Sequence, residues 1–167
     1  MTSSRQPGNF LAAVAVLIVL ACTTACGPGP PDPKRSVELT GEIRLPPEAR
    51  ADSKVYVSLF HAWALHAELR HPLQLIESFV TQPGAFTHKF EYPEKDGEGL
   101  IVFAWADLDG DGIDCTMTSR RDLSGLSGVA GFPADRVKVT VDLTEPCRGP
   151  DWFYPRPALG APLSPGK

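Results

Sequence analysis

LIVFAWADLDGDGID, residues 100–114, joins two kinds of chemistry in one stretch. Leu100 to Ala106 is apolar at every position, the pattern of a central strand covered on both faces. It then runs straight into aspartates at 107, 109, 111 and 114, with glycines at 110 and 112. A strand ending in such a bend places crowded negative charge at the edge of a sheet. The fold therefore turns on whether the flanking segments also read as strands.

They do, with a period of two. Val37, Leu39, Gly41, Ile43 and Leu45 alternate with Glu38, Thr40, Glu42 and Arg44, as expected of a strand with one face buried. Val55, Val57 and Leu59 alternate with Lys54, Tyr56 and Ser58; Phe86, His88, Phe90 and Tyr92 alternate with Thr87, Lys89 and Glu91. Val137, Val139, Val141 and Leu143 alternate with Lys138, Thr140 and Asp142. Leu73 to Gln82 is β-rich but less regular, and Pro83-Gly84 supplies the central pair of a type II turn. Only Ala62 to His71 carries a helical signal, of one or two turns before Pro72. Short strands punctuated by turns predict an all-β, antiparallel, immunoglobulin-like sandwich of six to seven strands.

The order of these segments is similar to that of transthyretin-like, carboxypeptidase-regulatory-like β-sandwich domains. V-x-L-x-G-x-I is followed by V-x-V-x-L, then P-G-x-F before an alternating strand, then an apolar strand entering D-x-D-G-D-G-x-D. The resemblance covers residues 36–145. It implies the sandwich fold and a non-catalytic role in binding or structural support within an exported bacterial protein.

The N-terminus reads as an export signal. Arg5 precedes an uncharged run from Phe10 to Ala21, shorter than the roughly 20 residues a membrane-crossing helix needs. Val19-Leu20-Ala21-Cys22 resembles the bacterial lipobox, so Cys22 is expected to be lipidated, with Cys26 as the competing acceptor. A plain secretory signal with incidental cysteines is the simpler alternative. Residues 1–21 are then the signal peptide and 22–35, with Gly27 to Pro33 reading GPGPPDP, a stiff tether. The tail, 146–167, is proline-rich; within it Asp151-Trp152-Phe153-Tyr154 is expected to dock, since three consecutive aromatics favour burial. Loss of residues 1–21 moves the formal net charge from −4 to −5, leaving no basic footprint for nucleic acid. The expected location is the cell envelope, anchored to a membrane by lipid.

The aspartate bend invites a cation. Asp107, Asp109 and Asp111 fall at alternate positions, Gly112 sits where the loop must turn, and the Ile113 carbonyl follows as a further oxygen. This matches the opening of a calcium loop, with the Ile113 side chain expected to anchor it in the core. The pattern then breaks, because Thr118 stands where a closing glutamate is required, so closure falls to Asp114 or to a residue elsewhere. Two carboxylates about 5 Å apart at an effective dielectric of ~20 repel by roughly 3 kcal/mol. A structural Ca²⁺ relieves that; the competing reading is a solvated turn whose aspartates bond their own backbone.

Cys115 and Cys147 are expected to pair in an oxidising compartment, closing a loop worth roughly 3–4 kcal/mol in the chain-entropy model; two separate thiols are the alternative. His61, His66 and His71 are spaced five apart, which scatters them on either strand or helix, and His88 reads as a packed core residue. Ser124-Gly125-Leu126-Ser127-Gly128 misses the G-x-S-x-G elbow, and Arg120-Arg121-Asp122 reads as an exposed loop with a local salt bridge. No catalytic residues are assigned. The competing functions are a carbohydrate- or peptide-binding module using Trp63, Trp105 or Trp152 as a stacking platform, and an enzyme using His88 or Asp107. Trp105 is expected in the core and Trp152 at the surface.

Overall fold

The computed structural model describes residues 33–149 except His71 and Glu94. Residues 1–32, which hold the segment read as a signal peptide, Cys22, Cys26 and most of the segment read as a tether, and the tail from residue 150 lie outside the described residues. Among those described, ten strands follow one another: β1 (Lys34–Arg44), β2 (Lys54–Trp63), β3 (Glu68–Leu69), β4 (Leu75–Thr81), β5 (Gly84–Pro93), β6 (Glu98–Asp107), β7 (Leu123–Leu126), β8 (Ala130–Gly131), β9 (Arg136–Asp142) and β10 (Glu145–Pro146). The helical signal after Ala62 amounts to one 3-10 turn, Ala64–His66. β1 opens inside the segment read as tether, and β10 takes Pro146 from the segment read as tail.

The strands form two sheets, one ordered β5-β1-β9 and the other β10-β7-β6-β2, where β2 also pairs with β3 and β4 and β6 with β8. All ladders are antiparallel except β1–β9, which is parallel. Side-chain alternation says which face is buried but not which way a neighbour runs, so that parallel pair had no local signature. The inner faces meet in one core: Val37, Leu39 and Ile43 from β1, Val55, Val57 and Leu59 from β2, Val102, Ala104 and Ala106 from β6, Val137, Val139 and Val141 from β9. Full burial of each valine, leucine or isoleucine among them is worth about 1.5–3 kcal/mol, and these rows are the period-two positions of the sequence.

Gly41 interrupts the apolar alternation of β1 for a packing reason. Its direct cross-strand partner is Phe86, whose ring occupies the space a Cβ on Gly41 would need. Gly84, at the turn into β5, has φ +101°, the left-handed conformation its Pro-Gly turn requires.

β7 was not legible as a strand because its sequence, LSGL, holds a glycine and a serine. Both are there for contact with neighbouring chain. A Cβ on Gly125 would overlap the carbonyl oxygen of Asp142 and lie 2.9 Å from its carbonyl carbon, so β7 and β9 approach backbone to backbone at this corner of the sandwich. Replacing Gly125 with alanine must push β7 off β9. We expect Gly125→Ala to cost roughly 1–3 kcal/mol, the usual penalty of overpacking, read as a lowered midpoint in urea or thermal unfolding. A midpoint equal to the parent's would show that the two strands separate freely.

Candidate functional site

β6 delivers Asp107 to the sheet edge as a residue only 7% exposed, and the chain then bends back on itself. Asp107 organises the bend: its Oδ1 accepts from Gly110 N at 2.7 Å and its Oδ2 from Gly112 N at 3.0 Å. Gly110 and Gly112 have φ of +83° and +74°, where any other residue would be strained. Asp109 Oδ1 accepts from Asp111 N at 3.2 Å and Asp111 Oδ1 from Ile113 N at 2.8 Å. The Ser119 hydroxyl donates to Asp109 Oδ2 and is the main reason its carboxyl titrates below the usual range.

The residue that completes the site is Asp122, which sequence reasoning placed in an exposed loop. It is fully buried. Its Oδ1 accepts from Leu108 N at 2.9 Å and its Oδ2 from Cys115 N at 3.0 Å, clamping both ends of the acidic bend. Its carbonyl accepts from Cys147 N at 3.0 Å. Arg120 and Arg121 remain exposed, so the expected local salt bridge gives way to bonds with backbone N–H groups. The signal that was available is position: Asp122 directly precedes the apolar Leu123 that begins β7.

One carboxylate oxygen each from Asp107, Asp109 and Asp122 lie within 4.8 Å of one another. Two ligands bound to the same calcium at about 2.4 Å are at most about 4.8 Å apart, so the three fit a single coordination sphere. Asp111 is not in this group, and the Ile113 side chain is 57% exposed rather than anchored in the core. Asp114 gathers instead with Asp122 and Cys115. Its Oδ1 is buried without a hydrogen-bond partner, and burial, followed by repulsion from Asp122, pushes its carboxyl above the ordinary range.

Cys115 and Cys147 form a disulfide with a Cα–Cα distance of 5.4 Å across 32 positions. Both half-cystines sit at φ 52°, left-handed for residues that carry a side chain, and both N–H groups are held by Asp122. The sulfur of Cys115 is therefore not a thiolate ligand, and the second acidic group reduces to Asp114 and Asp122.

The other candidates are engaged in packing. His88 is half-buried, stacked on Phe79 at 3.9 Å and bonded through Nε2 to Glu77 Oε1 at 2.9 Å. The hydroxyls of Ser124 and Ser127 donate to the carbonyls of Glu145 and Gly128, and Ser127 also accepts from Val102 N, extending the ladder with β6. At the opposite end of β6 the buried Glu98 accepts from His61 Nε2 and from Arg70 Nη2 at 2.6 Å, while the Arg70 guanidinium lies 4.9 Å over the Trp63 ring. That cluster fills the end of the inter-sheet space beside Tyr92, whose hydroxyl donates to Gly99 O at 2.7 Å and is pushed well up in pKa by burial. His66 is exposed and stacks on Trp63; His71 lies outside the described residues. Trp105 is not in the inter-sheet core: it is partly buried on the outer face, stacked on Tyr56 at 4.3 Å.

If Asp122 is the clamp, Asp122→Asn should destabilise the protein by roughly 1–3 kcal/mol, because an amide offers one acceptor where two buried N–H groups need two. Denaturant unfolding with the disulfide intact measures it, and a shift under about 0.5 kcal/mol would show the bend held by its own aspartates. No family model, curated protein or solved structure matches this chain.

Proposed function

We propose that the protein is a non-catalytic module of the cell envelope, held to a membrane by lipid on Cys22 (or Cys26). A structural Ca²⁺ locks the acidic turn, and the module works by binding or scaffolding. The observation that carries the calcium reading is the convergence of Asp107, Asp109 and Asp122, two of them buried, within the span of one coordination sphere. The unpartnered Asp114 oxygen beside Asp122 adds a buried acceptor with nothing donating to it. Calcium takes six to eight oxygens, so main-chain carbonyls, Ile113 among them, and water would complete the shell. In this reading the disulfide belongs to the oxidising side of a membrane, and the fold is of the transthyretin-like kind.

The non-catalytic reading draws on how the candidate groups are engaged. Both oxygens of Asp107 accept turn N–H groups, and His88 is paired with Glu77. The depression beside the turn, of about 200 Å³, is lined by Arg50, Asp52, Ser53, Lys54, Asp107, Leu108 and Gly110 and contains no nucleophile paired with a base. A second reading, glycan or peptide binding, is favoured by the near-parallel Tyr56–Trp105 pair, 8° between planes, on the outer face of a sheet.

A ligand of the native state must stabilise it. Calcium at a hundred times its dissociation constant should add about 2.7 kcal/mol, seen as heat in calorimetric titration and as a raised melting temperature. Asp109→Asn should weaken binding at least tenfold. Absence of both heat and stabilisation at millimolar calcium removes the ion from this proposal. For the anchor, Cys22→Ser should move the protein from the membrane fraction to the soluble fraction; unchanged fractionation transfers the lipid to Cys26, and membrane association that survives Cys22→Ser and Cys26→Ser together rejects the lipid anchor.

A further inference from the structure

The bend between β6 and β7 is fastened to the sheets by few bonds. From Asp109 to Arg121 no residue is buried, and Ile113 and Met117 face solvent, so apolar packing contributes little to its order. Ser119 closes a local turn on Thr116, its N–H donating to the Thr116 hydroxyl and its carbonyl accepting from Thr116 N, both at 2.9 Å. Those bonds shape the loop without attaching it to a strand. Asp107 holds the first part through Gly110 and Gly112. Beyond Gly112, the covalent and hydrogen-bonded attachments among the described residues are the Cys115–Cys147 disulfide and the bond from Cys115 N to Asp122.

These two attachments depend on each other. Each half-cystine has φ 52°, a left-handed backbone that residues with side chains rarely adopt. Each also donates its N–H to Asp122, Cys115 to Oδ2 and Cys147 to the carbonyl, both at 3.0 Å. The cross-link keeps both residues in that conformation. Once it is cut, each relaxes toward the ordinary region and its N–H is aimed elsewhere. Asp122 Oδ2 then has no donor, which is costly for a fully buried carboxyl group. Water can replace the donor only if the bend lifts, and Leu108 N, bonded to Oδ1, is released with it.

The bridge is also reachable. Both half-cystines are partly exposed and, with Thr116, Met117 and Arg120 among others, line a surface depression of about 350 Å³. The positive charge of Arg120 there favours an incoming thiolate.

We propose that Cys115–Cys147 is a redox lock on the acidic bend, opened by a dithiol. One thiolate of the dithiol attacks one sulfur of the bridge; the S–S bond breaks, a mixed disulfide forms, and the other sulfur leaves as a thiolate and takes up a proton. The second thiol of the dithiol then gives up its proton and displaces the chain's sulfur. The dithiol departs oxidised to a disulfide, and Cys115 and Cys147 are left as two thiols. In an oxidising compartment the locked form is the resting one. The lock rests on the cross-link and the bonds to Asp122. Its consequence for the ion rests on the calcium reading: Asp107, Asp109 and Asp122 converge in the oxidised form and separate in the reduced one.

The test is amide hydrogen exchange on the purified full chain in a calcium chelator, before and after dithiothreitol, without denaturant. Reduction should speed exchange at Leu108 and Cys115 by about tenfold or more, with the amides of β1, β2 and β9 changing by less than about twofold. Reoxidation should restore protection. The double variant Cys115→Ser, Cys147→Ser should exchange like the reduced protein and be indifferent to dithiothreitol. A bridge that dithiothreitol cuts only when the sandwich unfolds, a bend as protected after reduction as before, or a double variant that does not fold overturns the proposal. With calcium chelated, failure of the lock and failure of the ion to bind are separate results.

Discussion

The acidic end of this molecule depends on one buried carboxylate. Asp122 accepts from Leu108 N and Cys115 N through its side chain and from Cys147 N through its main chain. These bonds join the end of β6, the far side of the aspartate bend and the strand that follows β9. A carboxyl group so buried is tolerable only with several donors aimed at it. The same bonds support two half-cystines in left-handed backbone, so the disulfide and the bend form one unit. Asp114, with a buried unpartnered oxygen beside Asp122, is the place where this arrangement leaves negative charge unanswered, and it is what gives the proposed cation its purpose.

The two ends of β6 handle buried charge differently. At Asp107 and Asp122 the compensation among the described residues comes from backbone N–H groups. At Glu98 it comes from side chains, His61 and Arg70. A carboxylate already facing a guanidinium and an imidazole has little left to attract a metal; carboxylates facing only amides and one another retain a net negative field. The cation reading therefore belongs to one end of the strand and not the other.

Much of the sandwich was legible in local pattern. Alternation in β1, β2, β5 and β9, and unbroken apolarity in β6, translate directly into which side chains face the core, because a strand repeats every two residues. β7 was not legible, since Gly125 and Ser124 answer to β9 and β10, which are distant in sequence. Trp105 was expected in the core from its neighbours; its odd position in the strand turns it outward onto Tyr56. Asp122 looked like a loop residue beside two arginines, and only the return of the chain from β6 brings the bend down over it. Ile113 fits a calcium-loop template by spacing, yet its side chain faces solvent because the bend is closed by Asp107 and Asp122.

By itself the sequence determined the class of fold, the register of burial along the long strands and the position of the acidic bend, and it offered Cys115 and Cys147 as a pair without excluding separate thiols. The first three follow from periodicity and turn chemistry. The tertiary structure decided the parallel β1–β9 pair, the corner where β7 meets β9, the outer placement of Trp105 and the choice of Asp122 over Asp111 as the third converging carboxylate. Those depend on which distant backbones come within hydrogen-bonding reach, and a side chain's neighbours across a sheet are set by chain path, not by the residues beside it in sequence.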